Sequence, residues 1–112
     1  MIYKLLPAPE WAAAEERGHY DGSAVDRRDG FIHFSGRDQV VETAARHFAG
    51  QTGLTLLAVD PRRLGDALRW EPSRGGALFP HLYGPLPAHA VVAVHALPDD
   101  RPAAEAVAAL LA

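Results

Sequence analysis

An α+β fold in one domain is what this sequence predicts, and three observations predict it. Strand-like apolar runs at residues 2–6, 54–59 and 90–97 are interspersed with helical patterns at residues 9–17, 35–50 and 102–111, about three helices in all. Strands and helices do not alternate as regular β-α-β units, so a doubly wound parallel sheet is not expected. The 112 residues suit a single domain spanning residues 1–112, long enough to bury one core without staples.

The first strand, residues 2–6, should turn Tyr3 and Leu5 to one face and Ile2, Lys4 and Leu6 to the other. Pro7 stops it. A helix then runs to Arg17, with Trp11, Ala12 and Ala14 inward and Gly18 as its left-handed cap. Residues 19–30 read as an irregular loop, long enough to be a binding loop. Residues 31–34 form the second strand. Ser35 is placed to cap the next helix, with Asp38 three residues on and Gly50 at the far end. Residues 54–59 suit a buried strand, and Asp60-Pro61 opens a turn. Residues 67–70 read as a short strand and residues 71–76 as a turn around Pro72 and Gly75-Gly76. Residues 78–83 are extended but broken by Pro80, which suits a sheet edge. Residues 84–87 read as a turn. Residues 90–97 form the last strand, and Asp99 or Asp100 caps a terminal helix that Pro102 begins.

Composition narrows the function. The formal net charge of −3 gives no general attraction for nucleic acid, so a nucleic-acid partner is not expected. There is no cysteine, which excludes thiolate chemistry and fits a reducing interior. No apolar run resembles a signal peptide or a membrane span, and the expected location is cytoplasmic. G-x-G-x-x-G and Walker A patterns are missing. The six histidines include no i, i+4 pair on a helix, and no metal site is expected.

Two histidine-bearing stretches carry the candidate chemistry. His33 shares its strand face with Phe31 and Ser35, which puts two hydrogen-bonding side chains beside an expected helix N-terminus. His81 and Tyr83 form a second same-face pair, with Tyr83 able to stack on a planar ring. Glu71 and Arg74 lie just before it. They read either as a surface ion pair or as a phosphate clamp, Arg74, with Glu71 orienting it. Gly75 and Gly76 would let the backbone approach a ligand. His33, Ser35, His81 and Tyr83 are expected to share one cleft.

Residues 29–35 (Asp-Gly-Phe-Ile-His-Phe-Ser), 69–76 (Arg-Trp-Glu-Pro-Ser-Arg-Gly-Gly) and 79–86 (Phe-Pro-His-Leu-Tyr-Gly-Pro-Leu) resemble, in that order, the domain of unknown function 952 family, which is bacterial. The order is also similar to that of the ADP-ribosyltransferase superfamily, within it the RNA 2′-phosphotransferases. The likeness rests on His33-Phe34-Ser35, Val59-Asp60, residues 73–76 and residues 85–87. This second resemblance implies two small antiparallel sheets forming a split barrel, with NAD as substrate in the cleft between them. It implies His33 and Ser35 at the ribose, Glu71 as the candidate catalytic acid, and Lys4 where relatives place a histidine or arginine.

The resemblance thus implies an ADP-ribosyl- or 2′-phosphotransferase-like enzyme acting on NAD or on an ADP-ribosylated or 2′-phosphorylated substrate. The same cleft serves equally for a non-catalytic module that binds a small ligand or a peptide. A third reading leaves the motif residues to hold loops in place. Oligomeric state is not legible.

Overall fold

Nine strands and four α-helices form three separate antiparallel sheets in the computed structural model, which describes residues 1–112 apart from the side chain of Arg74. The strands are β1 (Ile2–Pro7), β2 (His19–Tyr20), β3 (Ile32–His33), β4 (Ser35–Gly36), β5 (Leu54–Val59), β6 (Leu68–Pro72), β7 (Leu78–Leu82), β8 (Leu86–Pro87) and β9 (Val91–Ala96). The helices are α1 (Ala8–Arg17), α2 (Ala24–Asp29), α3 (Val40–His47) and α4 (Ala103–Leu111). The largest sheet runs β4-β1-β5-β9, a second runs β3-β7-β6, and β2 pairs with β8.

The largest sheet has a core on each face, and β1 alternation sets this up. Tyr3 and Leu5 pack with Val40 and Ala44 of α3 and with Ala103, Ala106 and Val107 of α4. Ile2 and Leu6 turn the other way, onto Trp11, Ala14, Tyr20, Ile32, Phe34, Leu82 and Leu86. Each large aliphatic side chain fully buried here contributes about 1.5–3 kcal/mol from lost water contact. Both faces are thus covered, which is why residues 54–59 of β5 are buried without alternation. α1 ends as expected. Gly18 sits at φ 89°, and its N–H reaches Ala14 O at 2.9 Å.

Several expectations are corrected. The α+β class stands, but there are three sheets rather than two and four α-helices rather than three. No sheet closes into a barrel. β4 is two residues long, β9 lies at the opposite edge, and the two never meet, so the split barrel is overturned. Residues 19–30 are not an irregular loop, because β2 and α2 occupy most of them. Ser35 does not cap a helix. Its backbone pairs with Tyr3 of β1, and α3 starts five residues later behind Gln39. β7 is no edge but the centre of its sheet. Pro80 is tolerated there because β3 ends at His33, while the Pro80 carbonyl still accepts the Phe34 N–H at 3.0 Å.

Smaller differences share a cause, which is tertiary contact overriding local pattern. Ala12 is exposed. Glu71 and Pro72 belong to β6, and Leu86–Pro87 forms β8 rather than a turn. α4 has Pro102 at its N-cap, while Asp99 accepts the Gly53 N–H at 2.9 Å instead of capping the helix. No helix is long and apolar enough to cross a membrane.

Candidate functional site

The chain changes sheets at Phe34, and that crossing makes the site. Residues 32–33 pair with β7, while residues 35–36 pair with β1. β4 covers β1 only at Ile2 and Tyr3. Beyond that point Lys4 and Leu5 line a pocket of about 570 Å³ between the two sheets, walled also by α2 and α3. His33, Ser35 and His81 line it, and so do apolar side chains such as Val25 and Phe48.

α2 supplies the anchor. Ser23 and Asp26 form a capping box: the Ser23 hydroxyl accepts the Asp26 N–H at 3.2 Å, and Asp26 Oδ2 accepts the Ser23 N–H at 2.9 Å. Asp26 is 2% exposed. Its Oδ2 also receives Lys4 Nζ at 2.9 Å, and its Oδ1 receives His33 twice, from the backbone N–H at 3.1 Å and from Nδ1 at 2.6 Å. Lys4 Nζ donates a further bond to His33 O at 2.9 Å. β1, α2 and β3 are therefore tied through one carboxylate. Burial would raise the Asp26 pKa. The His33 hydrogen bond, the Lys4 charge and the Ser23 N–H overcome it and hold the carboxyl well below the usual carboxylate range. Burial also pulls the Lys4 ammonium below its ordinary range, against the opposing charge of Asp26.

His33 has a second carboxylate. Its Nε2 lies 3.0 Å from Asp29 Oδ2, at the end of α2. Contacts from both ring nitrogens to carboxylates are satisfied together only by the imidazolium, which has two N–H groups. Asp29 is also held by Arg28 Nε at 3.1 Å. That bond, ahead of the His33 contacts and against some desolvation, keeps Asp29 below the usual range.

His81 stands opposite His33 in the β3–β7 register, with ring centroids 5.5 Å apart edge to face. Phe31 stacks on His81 at 4.0 Å and tilts against His33 at 4.6 Å. His81 Nδ1 bonds Glu71 Oε1 at 2.8 Å, and the Tyr83 hydroxyl donates to that same oxygen at 2.7 Å. These bonds, Tyr83 first, lower the Glu71 pKa, and Glu71 in turn raises that of Tyr83. Arg69 lies 5.2 Å over the Tyr83 ring.

Of the residues singled out in the sequence, Lys4, His33, Ser35 and His81 come together at the pocket wall. Glu71 and Tyr83 stand behind His81 rather than in the lining. Gly75 and Gly76 form a turn with φ 64° and 82°, away from it. The Arg74 side chain lies outside the described residues. Ser35 is bonded to Thr43 at 2.8 Å across to α3, and Thr43 donates on to Gln39 O at 3.1 Å, so Ser35 must be the donor between them. Asp26 and Thr43 are not singled out by the sequence, and Asp29 stands in the first quoted motif without a role. The Ser23-x-x-Asp26 spacing was the available signal for the first of them. Among the described residues no three His, Asp or Glu side chains gather as a metal-ligand set.

Comparison with known proteins bears on these features. A family model described as "Protein of unknown function (DUF952)" matches residues 5–94. The crystal structure of protein CC0527 from Caulobacter crescentus is 52% identical over 90% of this chain and 89% of that one, with a TM-score of 0.86. Its solution NMR structure is 51% identical over 91% and 90%, with a TM-score of 0.80. No curated protein matches. The family resemblance of the three motifs is thus upheld. The ADP-ribosyltransferase likeness is not, because the open sheets lack its barrel, and the NAD-dependent function it implied is withdrawn with it.

Proposed function

The chain belongs to the DUF952 family, and we propose that it is a small-molecule-binding protein whose ligand sits in the pocket that His33 and His81 both line. The observation that carries this reading is the convergence of two carboxylate-held imidazoles on one pocket of about 570 Å³. That volume is within the usual range for small-molecule sites, and the mixture of apolar wall and a few fixed polar groups is typical of them. The investment in orientation supports the same reading. Asp26 spends four donors on fixing His33 and its surroundings, and Glu71 with Tyr83 fixes His81. A histidine that only filled the core would need one backbone carbonyl.

Thermal denaturation and histidine-ring NMR signals, recorded against a panel of small carboxylic acids, sugars and nucleosides, test the proposal. A true ligand stabilises the native state, by about 2.7 kcal/mol at a hundred times its Kd. The expected result is a compound that raises the melting temperature and moves the His33 and His81 signals together. Compounds that bind only elsewhere, or a panel that leaves both histidines unmoved, would overturn it.

A further inference from the structure

Asp26 and Asp29 hold the two nitrogens of one imidazole, yet they differ in burial and in the number of donors they accept. Asp26 is buried and held by four donors. Asp29 is about one-third exposed, and beyond His33 its side chain meets, among the described residues, only Arg28, which is itself largely solvated. Asp29 also sits on the last turn of α2, where the helix dipole disfavours a negative charge. Helix stability therefore gives no reason for a carboxylate there. What the carboxylate does is hold the more accessible nitrogen of His33 at the pocket wall, while buried Asp26 holds the other.

His81 asks for the complementary group. Glu71 accepts from Nδ1, which selects the tautomer of the neutral ring that has its lone pair on Nε2. Among the described residues Nε2 has no hydrogen-bond partner. His33 thus offers an N–H and His81 an acceptor, on rings that meet edge to face with centroids 5.5 Å apart.

Resting on the ligand-pocket reading above, we propose that Asp29 occupies the place of a ligand carboxylate on His33 Nε2, and that the ligand is a hydroxycarboxylate. Its carboxylate displaces Asp29 and takes the N–H of His33 together with the Arg28 guanidinium. Its hydroxyl donates to His81 Nε2. Two carboxylates cannot share the one N–H without like-charge repulsion, so Asp29 swings to solvent when the ligand enters. Both partners it leaves are satisfied again by the incoming group. Exchange of one carboxylate for another costs little net hydrogen bonding and leaves both ring nitrogens of His33 on carboxylates.

The test uses glycolate, acetate, glycerol and inorganic phosphate as probes, with NMR titration of the full chain and of Asp29→Ala. The exposed position of Asp29 lets the variant fold, and the unchanged amide spectrum of the core confirms it. Removing the internal competitor should tighten glycolate by roughly tenfold or more, the worth of one charge-assisted hydrogen bond. Glycolate should bind more tightly than acetate, and Glu71→Gln should reduce that preference. Unchanged glycolate affinity in Asp29→Ala overturns the proposal, as does equal binding of acetate and glycolate. Phosphate binding as tight as glycolate overturns the carboxylate assignment. If a sugar or nucleoside moves both histidines while glycolate does not, the hydroxycarboxylate is wrong and the pocket stands. If nothing moves them, both fall.

Discussion

Asp26 Oδ1 accepts both the backbone N–H of His33, at 3.1 Å, and its ring Nδ1, at 2.6 Å. A carboxylate that grips one residue by backbone and side chain sets its χ angles as well as its position. The partner oxygen holds Lys4, so the strand that bears His33 is tied to the central sheet through an ion pair, while backbone pairing ties it to β7 and Ile32 packs in the core.

Replacing Asp26 with Asn keeps the shape and removes the charge. Lys4 is then left buried and unpaired, and breaking a buried pair in this way costs about 3–5 kcal/mol. Lys4→Met should cost less, because Asp26 keeps its Ser23 and His33 donors. Urea denaturation with both variants measures the order. An Asp26→Asn variant as stable as Lys4→Met would show that the network adds little.

Acid should remove the same contribution. The folded-state pKa of Asp26 is depressed, whereas the unfolded chain titrates near the ordinary ~3.9. The unfolded state then binds the proton more readily, so the stabilisation is fully present above that value. It is lost as pH falls below about 4 toward the folded value. Melting temperatures of the parent and Asp26→Asn, followed from neutral pH downward, should converge on acidification. A gap that stays constant through that window would exclude the Asp26 charge as its source.

The pocket was partly visible in the sequence because strand alternation is a local property. Residues 2–6 assign Lys4 to one face and Tyr3 to the other without any tertiary information, and both cores obey that division. The same rule puts Phe31, His33 and Ser35 opposite Ile32 and Phe34, and the structure buries Ile32 and Phe34 in the core. What failed is what depends on distant partners. Ser35-x-x-Asp38 and Ser23-x-x-Asp26 are equally good capping signals, and only pairing with β1 decides that Ser35 becomes strand. α2 is six residues long, too short for an amphipathic period to register. The barrel was inferred from the order of motifs, and motif order does not reveal whether sheet edges meet.

Glu71 provides an optical handle on the His81 side. Its hydrogen bond raises the Tyr83 pKa by favouring the protonated phenol. In Glu71→Gln the charge is gone, so Tyr83 should ionise at lower pH than in the parent. Ultraviolet titration of the two proteins reads the difference directly. The ring nitrogen signals of His81 should shift in the same variant, because the acceptor at Nδ1 has lost its charge. A tyrosine titration identical in both proteins would contradict the shared oxygen.

Tyr20 makes the opposite prediction, that removing a polar atom does no harm. Its ring is packed in the core at 3% exposure, and its hydroxyl is buried with no hydrogen-bond partner among the described residues. Burial, with the negative charges of Asp26 and Glu10, raises its pKa and keeps the phenol neutral. An unsatisfied buried hydroxyl forfeits about 1–3 kcal/mol of hydration. Tyr20→Phe keeps the ring packing and discards that penalty. The expected outcome is a melting temperature equal to or above the parent, with the His33 and His81 signals unmoved. A loss of more than about 1 kcal/mol in urea denaturation would instead mean that the hydroxyl holds a buried water between itself and neighbouring polar groups.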